Sequence, residues 1–414
     1  MNPRTIPQSN SVLCIDAVAQ WLLHDARGLP GTREVVGSLC ERLIADGFPL
    51  YRMFVTTQTL HPEVAAIGSQ WRRGDAQATE MPRGHGILRE DIYLQSPIKL
   101  IHDGAPEVRW RADQPVPPAS FPVVGELRAE GVTDYLMLPL RFGQGRVNAI
   151  SVATDHPGGF SDAQVARFRD LVLLLAPVLE VKETQRVAAT LLGTYLGRDA
   201  GRRVLGGLIR RGDGVTIAAA LWYCDLRGFT TLSEQLPRDA VITLLNDYFE
   251  CIAAPVHHHG GEVLKFIGDA MLAIFPMDND LDRDRACLAA LAAAEEALAE
   301  LAALNEVRRG DGKAPLTVGI ALHSGPVMYG NIGAPDRLDF TVIGPAVNLV
   351  TRLERLCSEL GQSLLASARF ASYCGSKLIS LGRHPLRGIA AEEELFALPT
   401  AVAAQAGAAR RTAS

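Results

Sequence analysis

Residues Val215 to Cys224 form an apolar run broken only by Thr216. A strand with one wet face alternates apolar and polar residues, so a run this dense predicts a strand buried at the centre of a sheet. Asp225 ends it and Gly228 comes three residues later, which predicts a turn into a helix. Beyond lie a helix opening near Pro237, with Val241, Leu244, Leu245, Tyr248 and Ile252 on one face, and strands Val263 to Phe266 and Ala270 to Phe275 bracketing a Gly268-Asp269 turn. An Ala-rich helix (Arg285 to Leu304), strands near Leu316 to Leu322 and Val327 to Ile332, a helix from Pro345 to Cys357, a strand at Ser363 to Leu365 and further strands complete the section. In order this is β-α-β-β-α-β with additions, which predicts an α+β sandwich with helices on one sheet face over residues 215–398.

The chain has 414 residues, enough for two domains and a connector. Residues 11–160 read as a separate front domain. Thr32 is a candidate cap for a helix carrying Val35, Val36, Leu39, Leu43 and Ile44, stopped by Asp46-Gly47, and a strand comes next at Leu50 to Thr56. Two apolar runs, Tyr135 to Leu140 and Val147 to Thr154, flank the glycine-bearing segment 141–146 and predict a hairpin. Residues 161–213 read as a helical connector, with Ser161 and Asp162 as cap candidates. Phe168, Leu171, Leu174, Leu175 and Val178 repeat at helical spacing, and Val181, Thr184, Val187, Leu191, Leu192 and Tyr195 continue the stripe past Pro177. A parallel two-helix connector and packing against one of the chain's own domains both account for that stripe. Residues 1–10 and the Ala-rich segment 399–414 read as untethered.

The net charge of −5 gives no general basic field to bind polyanions, so neither nucleic acid nor a membrane surface is an expected partner. Seven cysteines without a CxxC pair favour reduced thiols. No apolar run is long enough to cross a bilayer, and the polar N-terminus lacks a signal-peptide core, so the expected location is cytoplasmic.

The chemistry concentrates at two aspartates. Asp225 stands at a strand end before a glycine turn, where a carboxylate can hold a metal while the N–H groups opening the next helix, at Phe229 and Thr230, donate to phosphate oxygens. Asp269 sits in the hairpin turn that neighbouring strands would bring close. Two carboxylates completed by water and phosphate suit Mg²⁺. Gly-Asp is also simply a good turn.

The stretch Tyr223-Cys224-Asp225-Leu226-Arg227-Gly228-Phe229-Thr230 resembles the first metal-binding segment of the class III adenylate and guanylate cyclases, and residues 260–270, which include Lys265 and Asp269, resemble their second. Residues 341–353, from Thr341 to Leu353, resemble their transition-state segment. The resemblance covers about Val215 to Leu398 and implies a ferredoxin-like βαββαβ palm. It implies that Asp225 and Asp269 hold two divalent ions, Mg²⁺ or Mn²⁺. It implies too that Asn348 and Arg352, at i and i+4, orient the ribose and stabilise charge on the α-phosphate. Arg387, in Leu386-Arg387-Gly388, matches a position that meets the terminal phosphates. Lys265 matches the base-reading position that is Lys in adenylate and usually Glu in guanylate cyclases, and a lysine donor suits adenine N1. Thr341 matches the second base-reading position. Aspartate is common there, and Thr marks a bacterial-rich subgroup linked to bicarbonate response.

The resemblance therefore implies an adenylate cyclase, an enzyme that converts ATP to 3′,5′-cyclic AMP and pyrophosphate. Because the family draws the metal carboxylates from one chain and the other groups from its partner, a homodimer with shared sites is expected. A guanylate cyclase and an idle nucleotide-binding regulator are the alternatives. The diguanylate cyclase signature is absent.

The segment Gly131 to Leu171, with Leu138-Pro139-Leu140, the glycine hairpin and Phe160-Ser161-Asp162, resembles the closing part of a GAF domain. That implies a sensory α/β domain, with a small-molecule ligand that no haem, tetrapyrrole or cyclic-nucleotide motif names. His257-His258-His259 reads as a helix-to-strand loop rather than a metal site, Arg285 to Leu304 as a charged surface helix, and Cys224 as a small buried residue.

Overall fold

A computed structural model describes residues 16–114, 121–143, 145–277, 282–389 and 391–399. The segments 1–10 and 400–414, both read as untethered, lie outside the described residues, as does Gln144 of the glycine hairpin. The chain divides into two compact units between Leu191 and Leu192. Among the described residues no helix is long and apolar enough to cross a membrane.

The first unit contains α1 (Ala17–His24), α2 (Thr32–Ala45), β1 (Arg52–Gln58), β2 (Val64–Arg72), β3 (Thr79–Gly84), α3 (Asp91–Leu94), α4 (Pro97–His102), β4 (Val108–Arg111), α5 (Pro122–Ala129), β5 (Asp134–Arg141), β6 (Val147–Thr154) and most of α6 (Asp162–Leu196). Its six strands form an antiparallel sheet in the order β3-β2-β1-β6-β5-β4. Strand alternation gives the sheet two different faces. Met53, Val55, Leu136, Leu138, Ile150 and Val152 pack in one core with residues of α1, α2 and α6. Tyr135, Met137, Ala149 and Ala153 turn to the other side, towards Ile101 of α4 and Val124 and Leu127 of α5.

Thr32 is not the cap of α2. Gly31 is, without a side-chain bond, and Thr32 is the first helical residue. Ser161 does cap α6, accepting from the Gln164 N–H while Gln164 returns a bond to the Ser161 N–H. Of the two accounts of the helical stripe, packing against the chain's own domain holds from Val165 to Leu179, which join the first unit's core. Val181 and Tyr195 stay exposed.

The second unit begins with α7 (Arg198–Leu205) and β7 (Gly214–Leu226). It continues through α8 (Phe229–Gln235), α9 (Arg238–His258), β8 (Glu262–Ile267), β9 (Ala270–Met277), α10 (Arg283–Gly310), β10 (Val318–Ala334) and β11 (Arg337–Ile343). Next come α11 (Pro345–Glu359), β12 (Leu364–Ser367), α12 (Ala368–Ala371), β13 (Ile379–His384) and β14 (Glu393–Ala397). The sheet order is β13-β14-β12-β10-β7-β9-β8, with β11 paired to β10. Within it, β10-β7-β9-β8 is the antiparallel ferredoxin-like order, with β7 central as its apolar run requires.

Three features of this unit differ from expectation. Helices cover both sheet faces: Ala220, Trp222 and Cys224 of β7 share a core with α9 and α10, whereas Ala219 and Leu221 share one with Ala200 of α7 and Val350 and Leu353 of α11. The apolar run is dense because both of its faces are covered. The Ala-rich surface helix is anchored more deeply than a charged scaffold helix need be: Ala286, Ala290, Ala293, Ala294 and Ala297 are buried and their small side chains let it lie close to the core, while Arg285, Glu295 and Glu300 stay exposed. Finally, the two strands expected on either side of Gly325-Pro326 are one strand, β10. On the edge away from β7, β12 pairs only to Leu322 and β11 only from Met328. Pro326 therefore sits where that edge lacks a ladder partner, a place that tolerates proline.

Candidate active site

Asp225 stands next to last in β7, and β9, which begins just after Asp269, is the strand paired to β7 through Cys224 and Met271. Between β8 and β9 the two-residue turn opens with Gly268 at φ +65°, a conformation that glycine adopts without strain, leaving Asp269 beside the end of β7. The two carboxyl groups adjoin. Burial first, then the neighbouring Asp269 carboxylate, push the Asp225 carboxyl up to about 6, while the Leu226 N–H and Arg355 act the other way. Asp225 Oδ1 is buried without a hydrogen-bond partner among the described residues. Two adjoining carboxylates, one with an orphaned oxygen, are short of positive charge, and an oxygen-seeking divalent cation fits that donor set.

A third carboxylate completes the group and was missed in the sequence. Glu354 of α11 is buried, and its carboxyl is pushed up to about 7 by burial and then by the Asp225 charge, with Arg227 and Arg355 opposing. A Cβ on Gly319, the residue opposite Asp225 in β10, would lie 2.6 Å from Glu354 Oε1, so this close approach needs glycine. The available signal was a Glu on the apolar face of α11, alongside Val350, Leu353 and Cys357. Arg227 is anchored beneath the turn, donating to the Gln362 carbonyl.

Phe229 and Thr230 open α8, which has only seven residues, so its free N–H groups rather than a long helix dipole are what it offers an anion. On α11, Asn348 is exposed and Arg352 half-buried. Neither bonds to the carboxylate pair among the described residues. The Arg352 guanidinium lies against Gly388, 3.5 Å from where a Cβ would stand, so Arg352 and the exposed Arg387 lie at one turn. Lys265 is half-buried on β8, and Thr341 on β11 is buried with no partner for its hydroxyl among the described residues. β8 and β11 approach each other.

Two other readings are resolved nearby. Cys224 is fully buried against the Tyr248 hydroxyl and burial pushes its thiol up to about 12, as suits an inert packing residue. The histidine run is not a loop: His257 and His258 end α9 and His259 caps it. His258 Nδ1 lies 3.0 Å and His259 Nε2 2.7 Å from the Glu296 carboxylate of α10.

Residues 213–373 match the family described as the adenylate and guanylate cyclase catalytic domain. An adenylate cyclase of Anabaena cylindrica is 35% identical over 158 residues, 38% of this chain and 31% of that protein. Adenylate cyclase 1 of Rhizobium meliloti (strain 1021) is 32% identical over 154 residues, 37% of this chain and 23% of that protein. An uncharacterized protein of Mycobacterium tuberculosis is 36% identical over 199 residues, 47% of this chain and 34% of that protein. The chain thus spans only 23% to 34% of the length of these curated relatives. Sequence match, strand order and the paired carboxylates agree over residues 213–373, the segment that matches the adenylate and guanylate cyclase catalytic domain.

Proposed function

We propose that the protein is an adenylate cyclase that forms 3′,5′-cyclic AMP and pyrophosphate from ATP, working as a homodimer under the influence of its first unit. The observation that carries the reading is the carboxylate pair Asp225–Asp269 with its unpartnered Oδ1, inside a segment matched to the cyclase domain. Divalent ions held by Asp225 and Asp269 would supply the charge that makes the ribose 3′-oxygen nucleophilic and pyrophosphate a stable leaving group. Lys265 donates to adenine N1, and the buried Thr341 hydroxyl, which has no protein partner, accepts from the 6-amino group. Asn348 orients the ribose, Arg352 stabilises charge developing on the α-phosphate, and Arg387 and the N–H groups at Phe229 and Thr230 receive the terminal phosphates. Adenine in preference to guanine is supported by Lys265 and by relatives that are themselves named adenylate cyclases. The antiparallel sheet of the first unit, with helices on both faces, supports a GAF-like sensory role.

Incubation of the full chain with ATP or GTP and Mg²⁺ or Mn²⁺ tests the reading by the cyclic product. Cyclic AMP is expected. Product from GTP alone would overturn the role of Lys265, and no product from either would overturn the enzyme.

A further inference from the structure

On the face of the first unit's sheet turned away from α1, α2 and α6 lies a cavity of about 770 Å³, covered by the segments around α3, α4 and α5. This is within the size range of small-molecule sites. Arg52, Phe54, Thr56 and Gln58 line it because alternate residues of β1 point that way, while Met53 and Val55 point into the core.

Arginines outnumber carboxylates in this lining, Arg52, Arg83 and Arg146 against Glu126. Arg52 stands directly opposite Arg72 in the β1–β2 register, a like-charge cross-strand pair that costs stability. Arg72 is neutralised by Glu130 at 3.1 Å, but Arg52 has no ion pair or hydrogen bond among the described residues. Burial and then the Arg72 charge work against its own charge, with Tyr135, Glu130 and Glu126 opposing. Asn148 is 1% exposed, its Oδ1 accepts from the Gln58 N–H at 2.8 Å, and its Nδ2 is left without a partner. His102 Nδ1 is 2.9 Å from the Tyr93 hydroxyl and its buried Nε2 is likewise unpartnered. When Tyr93 donates, Nε2 carries the proton. Arg52 and Asn148 therefore offer hydrogens with no acceptor among the described residues, and His102 does so in the tautomer that accepts the Tyr93 proton. The lining also has apolar side chains, and Leu88 and Ile92 among them are 53% and 59% exposed.

We propose that this cavity binds a small organic carboxylate, its anion on Arg52 and its apolar body against Phe54, Met81 and Ile92. A guanidinium suits a carboxylate through paired N–H bonds, and the apolar part of the lining favours an anion with an apolar body over inorganic phosphate. The proposal assigns a ligand class to the sensory role suggested above. It is tested by binding without nucleotide, so its failure is separate from failure of the cyclase reading.

The test is calorimetric titration of the full chain with phenylacetate, indole-3-acetate and octanoate, each against its neutral amide, and with inorganic phosphate. At least one acid should bind at least tenfold more tightly than its amide, with phosphate not binding. Arg52→Met should weaken the acid by about tenfold to a hundredfold and leave the amide unchanged. Arg52→Lys should keep a preference for the acid. Because Arg52→Met removes one of two opposed cations, its melting temperature should not fall, which separates lost binding from lost fold. Equal binding of acid and amide, unchanged acid binding in Arg52→Met, or no binding across the panel would each overturn the proposal.

Discussion

Glu262 joins three elements of the second unit, and its removal gives a stability change that can be worked from contacts. Its Oε1 accepts from the N–H groups of Asp199 at 2.9 Å and Ala200 at 3.3 Å, and so caps α7 from β8. Its Oε2 accepts from the Tyr329 hydroxyl at 3.2 Å. Glu262→Ala takes away a helix cap, worth about 1 kcal/mol. It also strands the buried Tyr329 hydroxyl, at about 1–3 kcal/mol. Burial holds the Glu262 carboxyl above its usual range, so deleting it recovers some desolvation and draws the total towards the lower end. The expected loss is about 2 kcal/mol. Glu262→Gln should lose about half as much or less, because its amide oxygen still caps α7 and its NH₂ can donate to Tyr329. In urea denaturation of the full chain, monitored by far-UV circular dichroism and fitted with separate transitions for the two units, Glu262→Ala should move one midpoint down by roughly 1 M. A shift within error for Glu262→Ala, or equal losses for Ala and Gln, would refute the capping argument.

The shared-site reading predicts that Asp225→Ala and Asn348→Ala are each inactive alone and recover activity when mixed under subunit exchange, and cyclic AMP formation in the mixture is the readout. Absence of recovery counts against a composite dimer. Stability should also depend on pH through His323, which is buried with Nδ1 2.7 Å from Ser367 Oγ and held down to about 4 by burial, with Arg369 adding. The folded value lies below the unfolded one of about 6.5, so the stabilising contribution is complete above that pH and is lost as pH falls towards 4, by roughly 3 kcal/mol in all. Denaturation of His323→Gln at pH 7, 5.5 and 4.5 should show a shallower decline than the parent; an identical decline would remove His323 as the cause.

Local patterns in the sequence carried several elements to within a few residues. The apolar run ending at Cys224 is the centre of β7, the Gly268-Asp269 turn closes β8 onto β9, and Asn348 and Arg352 lie one turn apart on α11. Each depends on a side-chain period or a turn conformation expressed within a few consecutive residues, so it can be read without knowing what lies across the fold. The strands expected near Leu316 to Leu322 and Val327 to Ile332 are a single β10, because only the partner strands show that it can run on through Gly325-Pro326.

By itself, the sequence determined the buried strand, the carboxylates at its end and in the neighbouring turn, and the cyclase-like segments around them. Tertiary structure alone decided that helices cover both faces of that sheet and that Glu354 comes up beside Asp225. It also decided that Glu296 meets His258 and His259, and that Arg52 faces Arg72 across two strands with only one of the pair neutralised. These are matters of register and approach between residues far apart in the chain. They are set when whole faces pack, and no local period encodes them.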